Sequence, residues 1–216
     1  MNGSWSVQPK GVACRGIWPL LREIDPAVQC ERKFDWLFVP RASERSELEK
    51  QVFFELREHC RQRKDRHPVK TTCDPDALLA DAKIKARARV LEVDFFLPSL
   101  NAAVEFDERQ HFTEERKISL QCYGSLPVGF STKRWIGLCS PNIQDPDPPC
   151  RDWVRAFRDA VRDIRAVQHG IKLVRIYYLD FGESGCAAPG AGERLQQIVL
   201  SKPLRGFTAR TSGPYP

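Results

Sequence analysis

Apolar positions recur along this chain with two periods, and the changes between them mark out the elements. FDWLFV, Phe34 to Val39, is a short apolar run stopped by Pro40, and it predicts a strand. Leu48, Val52, Leu56 and Cys60 then recur at four-residue steps with Phe53 beside them, the stripe of an amphipathic helix. Ser46 and Glu49 open that helix as an S-x-x-E capping box. It runs to about Lys64, where the basic stretch RQRKDRHPVK takes over. Asp74 to Ala82 reads as a turn and a short helix. KIKARARV, Lys83 to Val90, alternates with period two and argues for a strand, although its alanines also suit a helix. LEVDFFLP and NAAVEFDERQHF read as strands, and Thr113 to Tyr123 as a short helix. Gly124 to Pro149, rich in Gly, Pro and Ser, reads as a long surface excursion.

The second half carries the strongest helix. Over Arg151 to Gln168, Trp153, Val154, Phe157, Val161, Ile164 and Val167 form a buried stripe. The Arg and Asp residues form an expected outer face, with Asp152–Arg155 and Asp159–Arg162 at i, i+3. Gly170 is placed as the C-terminal cap. IKLVRIYYLDF, Ile171 to Phe181, is a strand. GESGCAAPGAG is a linker, Glu193 to Leu200 a last short helix, and the tail from Ser201 loose. Residues 1 to about 33 show no sustained period. The order predicts an α/β fold, a mixed central sheet flanked by helices, with an N-terminal extension over 1–43, a core over 44–181, and a linker and tail over 182–216.

Composition narrows the class only a little. An apolar fraction of 42% and a charged fraction of 29% suit a globular domain of 216 residues. The net charge of +6 and pI near 8.9 permit a polyanionic partner without requiring one. No apolar run approaches a membrane span, and the opening residues lack the apolar core of a signal peptide. Eight scattered cysteines with no CxxC are expected to be reduced thiols of a cytoplasmic protein. His59, Cys60, His67 and Cys73 match no standard zinc spacing.

The chemistry concentrates in one hairpin. If LEVDFFL pairs with AAVEFDE about Pro98 to Asn101, Leu97 falls opposite Ala102, Asp94 opposite Glu105 and Glu92 opposite Asp107. Strand side chains alternate between faces, so the four acids share one face. Facing like charges destabilise a sheet and raise one another's pKa. A hard divalent cation, Mg²⁺ or Mn²⁺, would offset this and supply a reaction centre. The competing account is a solvated face with Arg or Lys alongside.

Val93-Asp94-Phe95-Phe96-Leu97-Pro98, followed by Ala103-Val104-Glu105-Phe106-Asp107-x-x-Gln110-His111, resembles the very-short-patch-repair endonuclease-like branch of the PD-(D/E)xK nucleases. Arg162-Asp163 and His169 through Ile176 are similar to that branch's closing helix and strand. The resemblance spans roughly residues 44–181. It implies a restriction-endonuclease-like fold and metal-dependent endonucleolytic hydrolysis of DNA, with no small-molecule cofactor. On its terms Asp94, Glu105 and Asp107 are catalytic and bind the metal, Glu49 is an additional acidic ligand, and Gln110 and His111 sit at the site edge. The chain departs from the pattern in two places: Glu108 replaces a Gly, and Asp107 stands where the wider superfamily has Lys. An inactive nucleic-acid-binding module on the same fold, or a protein-interaction domain, are the alternatives.

Several side chains have two expected roles. Glu49 completes a capping box or ligates a metal. His111 moves a proton or closes the strand. Gln110 orients a ligand or the backbone, and Glu92 supports the acid cluster. Arg175, in an apolar strand, needs a carboxylate or a phosphate unless it lies in solvent at a sheet edge. Arg61, Arg63, Lys64, Lys85 and Arg87 contact phosphates or are solvated. Trp135 stacks on a base or packs its loop down.

Overall fold

The computed structural model describes residues 12–64, 90–143, 151–182 and 185–201. Four strands form one mixed sheet in the order β1 (Gln29–Phe38), β2 (Val90–Leu97), β3 (Ala102–Asp107), β4 (Lys172–Tyr177). The β1–β2 and β2–β3 pairs are antiparallel, and β3–β4 is parallel. One face carries α2 (Glu47–Lys64), α3 (Glu114–Gln121), α4 (Thr132–Leu138) and α5 (Arg151–Gln168). The other carries α1 (Val12–Ile24) and α6 (Ala191–Leu200). The chain is therefore α/β, a four-stranded mixed sheet between helical layers, as the order of elements predicts.

The hairpin register is the expected one. Leu97 faces Ala102, Phe96 faces Ala103 and Phe95 faces Val104. The predicted caps also form. Ser46 N–H donates to Glu49 Oε2 at 2.7 Å, and Glu49 N–H to Ser46 Oγ at 3.3 Å. Gly170 adopts φ 66° after α5, with Ile171 N–H on Ala166 O and Gly170 N–H on Val167 O. Those two bonds make a Schellman end, which needs the left-handed backbone that glycine tolerates.

Four expectations change. The segment before residue 33 holds α1 and the start of β1, which periodicity missed because α1 is short and interrupted by Pro19. The strand expected over 34–39 begins at Gln29. The excursion after Gly124 contains α4 and packs against the edge of β4, where a Cβ on Gly129 would collide with the Leu173 carbonyl oxygen. The outer face expected on α5 is largely buried: Asp159 and Asp163 are 0% exposed. This helix lies between the sheet and α2, so both its stripes find partners. The segments 74–82 and 83–89, with Lys85 and Arg87, lie outside the described residues, as do His67 and Cys73. Of the described residues, no helix is long and apolar enough to cross a membrane.

Candidate active site

Hydrogen-bonded pairing between β2 and β3 runs from Leu97/Ala102 to Phe95/Val104 and stops. Beyond that point the acids take over as acceptors. Phe106 N–H donates to Asp94 Oδ2 at 2.8 Å, and Asp94 N–H lies 3.3 Å from Glu105 Oε1. A buried amide without a partner costs about as much as a lost hydrogen bond. The strands thus separate while two carboxylates satisfy the amides this frees. That is one reason for acids in these strands.

The second oxygen of each, Asp94 Oδ1 and Glu105 Oε2, accepts no hydrogen bond among the described residues. Glu105 is buried and Asp94 half-buried. Burial raises both carboxyls, Glu105 well above the usual glutamate range; Arg162 opposes the shift at both, and the Asp94 charge adds to that at Glu105. Arg162 on α5 places Nε 3.6 Å from Glu105 Oε1, donates Nε to the Glu92 carbonyl and Nη1 to Asp159.

Asp107 belongs to a different, closed network. Its Oδ1 receives Arg175 Nη1 at 2.5 Å and its Oδ2 receives Trp135 Nε1 at 2.7 Å. Arg175, 1% exposed, also donates Nε to Asp163 at 2.9 Å. Asp163 Oδ2 in turn accepts from Arg116 at 2.7 Å and from the Tyr123 hydroxyl at 2.6 Å. Burial works against the charge on Arg175, yet Asp107, Asp163 and Asp159 hold its pKa well above the ordinary value. Buried charges need such partners.

His111 sits at the rim between the two groups. The short helical turn Arg109–His111 ends β3 and brings its Nδ1 to 2.9 Å from Asp159 Oδ2 and 3.6 Å from Asp107 Oδ1. Its side chain is 19% exposed. Asp159 is buried, which opposes its charge, but His111 and Arg175 hold it well below the ordinary carboxylate range. The His111 charge also lowers Asp94, against the burial that raises it.

The structure divides the predicted set. Asp94, Glu105 and His111 come together. Asp107 is withdrawn from metal ligation by Arg175 and Trp135. Glu49 is 1% exposed, with one oxygen in the capping box and the other on Arg165 Nε at 2.8 Å, so the cap reading accounts for it. Trp135 is 2% exposed and packs its loop down, which leaves no face for a base. Arg175 pairs with acids and is not available to phosphate. Glu92 lies 3.6 Å from Lys33, and Gln110 bonds Glu108. Arg61 pairs with Glu58 at 2.7 Å; Arg63 and Lys64 lie in the last turn of α2. Sequence reasoning missed Arg116, Tyr123, Asp159, Asp163 and Arg165 as buried partners. The one signal was Arg175 itself, whose place in an apolar strand calls for acids on a facing element.

Among the described residues, no group of three or more His, Cys, Asp or Glu side chains is arranged to hold a metal ion. Two carboxylates still suit Mg²⁺, which keeps several waters and binds through one or two carboxylates plus substrate phosphate. An open groove of about 350 Å³ lies elsewhere, between α2 and α3, lined in part by Glu55, Glu58, His59 and Cys122. No protein-family model, curated protein or solved structure matches the chain.

Proposed function

We propose that this chain is a restriction-endonuclease-like hydrolase that cleaves DNA phosphodiesters, with Asp94 and Glu105 as the residues that would hold Mg²⁺ or Mn²⁺. The observation that carries the reading is the separated hairpin: two facing acids, raised in pKa by burial, each with one oxygen free. A metal bound there would lower the pKa of a water and neutralise charge on a phosphoryl oxygen.

The chain's own groups have defined parts. Backbone amides of Asp94 and Phe106 fix one oxygen of each acid and leave the other without a hydrogen bond among the described residues. Arg162 balances Glu105 and is the nearest cation to a phosphate entering beside it. Asp159 holds His111 through Nδ1, which leaves Nε2 as the nitrogen to give or take a proton at a phosphate or leaving oxygen.

The second reading is an inactive nucleic-acid-binding module, and Arg162 favours it. A guanidinium already beside Glu105 offsets part of the charge that would attract a cation. Incubation with single-stranded and duplex DNA in Mg²⁺, Mn²⁺ or EDTA separates the two. Under the hydrolase reading, cleavage requires the metal and is lost, by at least about a hundredfold, in Asp94→Asn and Glu105→Gln. Salt-sensitive binding without cleavage in the parent protein supports the module instead, and cleavage by Asp94→Asn at the parent rate rules out this site.

A further inference from the structure

Three aromatic rings are layered at β1, the edge strand of the sheet. Phe34 stacks on Trp36 with centroids 4.8 Å apart and planes 21° apart. Trp36 stacks on His169 at 4.1 Å and 10°. The stack is closed at one end, where the Arg32 guanidinium lies 5.3 Å from the Phe34 ring centre and Phe96 meets Phe34 edge-on at 5.1 Å. It is open at the other. His169 is exposed, and no second ring covers it among the described residues.

The open end is also held in place. His169 follows α5 directly, immediately before the left-handed Gly170, and its N–H donates to Arg165 O. Arg165 is itself pinned by Glu49 and donates Nη1 to the Trp36 carbonyl at 2.8 Å. The backbones that carry the Trp36 and His169 rings are therefore joined through one arginine. Burial and the Arg165 charge lower the His169 pKa, which favours the uncharged ring.

We infer that the free face of His169 is a stacking site for an unpaired nucleobase, so that the preferred nucleic acid is single-stranded or locally unpaired. This rests on the nucleic-acid reading above and specifies its substrate class. A flat ring stack offers a base the surface that single-strand-binding proteins use, with little sequence preference. Bases inside a duplex have both faces covered and cannot enter. Arg32, exposed at the Phe34 end of the stack, is a cation that a phosphate of the bound strand could meet. Phe96, two residues from Asp94 on the same face of β2, meets the stack at its Phe34 end.

The test is equilibrium binding in EDTA, where cleavage is suppressed, by anisotropy of a fluorescein-labelled single-stranded oligodeoxynucleotide and of the same strand annealed to its complement. His169→Ala is expected to weaken single-strand binding roughly tenfold. It should leave duplex binding and the slope of log Kd against log salt unchanged, because the phosphate contacts remain. His169→Phe should bind within about twofold of the parent, since stacking needs a ring and not an imidazole. Parent-like binding by His169→Ala overturns the inference, as does an equal loss in both variants or the absence of single-strand binding in the parent. Failure of cleavage with the His169 pattern intact would remove the hydrolase reading alone, whereas cleavage without a His169 effect would remove the stacking site alone.

Discussion

Glu105 is the residue where local structure and chemistry pull in opposite directions. Its carboxylate accepts the Asp94 amide, yet burial makes its ionised form unfavourable. The linkage has a definite sign. Below the usual glutamate value, about 4.3, the group is protonated in both folded and unfolded chains and contributes nothing. As pH rises past that value the unfolded chain loses the proton first, and the folded state is penalised until its own raised pKa is passed. Each tenfold bias in the proton equilibrium corresponds to about 1.4 kcal/mol. Glu105→Gln should therefore match the parent near pH 4 and become progressively more stable towards pH 7 without metal. Urea denaturation across that range measures it; a variant less stable at pH 7 would mark Glu105 as a structural partner of Arg162. Asp159 has the reverse sign, and its stabilising contribution is lost as pH falls.

Between elements, two contacts decide how the sheet is closed. On the α5 side, Arg175 joins β4 to β3 through Asp107 and to the helix through Asp163. At the open edge of β4, the chain between α3 and α4 presses Gly129 against the strand, with Val128 and Phe130 buried on either side. The atom a Cβ would meet is backbone and cannot rotate away. Gly129→Ala should destabilise by about 1–3 kcal/mol through overpacking. Gly137, inside α4, has nothing within 4 Å of its would-be Cβ, so Gly137→Ala should stabilise by about 0.4–1 kcal/mol through the unfolded chain. Parallel urea titrations test the contrast, and equal effects at the two sites would contradict the close approach.

Over the whole molecule, charge is sorted by depth. Eight acids but three arginines are buried among the described residues, so the surface is more basic than the net charge of +6 suggests. That sorting favours a polyanion outside while a small acidic site remains within reach of solvent at Asp94 and His111. If the pair binds a cation, folding and binding are linked, and saturation at a hundredfold excess over Kd adds about 2.7 kcal/mol. Mg²⁺ should raise Tm in the parent by several degrees and leave the Asp94→Asn, Glu105→Gln double variant unmoved. An equal rise in both would place the ion elsewhere.

The elements whose pattern is local were legible in the chain: α2 with its capping box, α5 with its apolar stripe and Gly170 end, and the register that sets Leu97 opposite Ala102. Each depends on spacing within a few residues, so period and cap chemistry suffice. α1 was not legible, because a short helix interrupted by Pro19 acquires its stability from the sheet face it covers. The four acids of the hairpin read as one cluster, since alternation puts them on one face. Only the tertiary structure decided that Asp107 turns to Arg175 and Trp135 while Asp94 and Glu105 keep an oxygen free. Which acid is neutralised depends on cations brought in by β4 and α5, 50 to 80 residues away along the chain, and no local pattern records that distance.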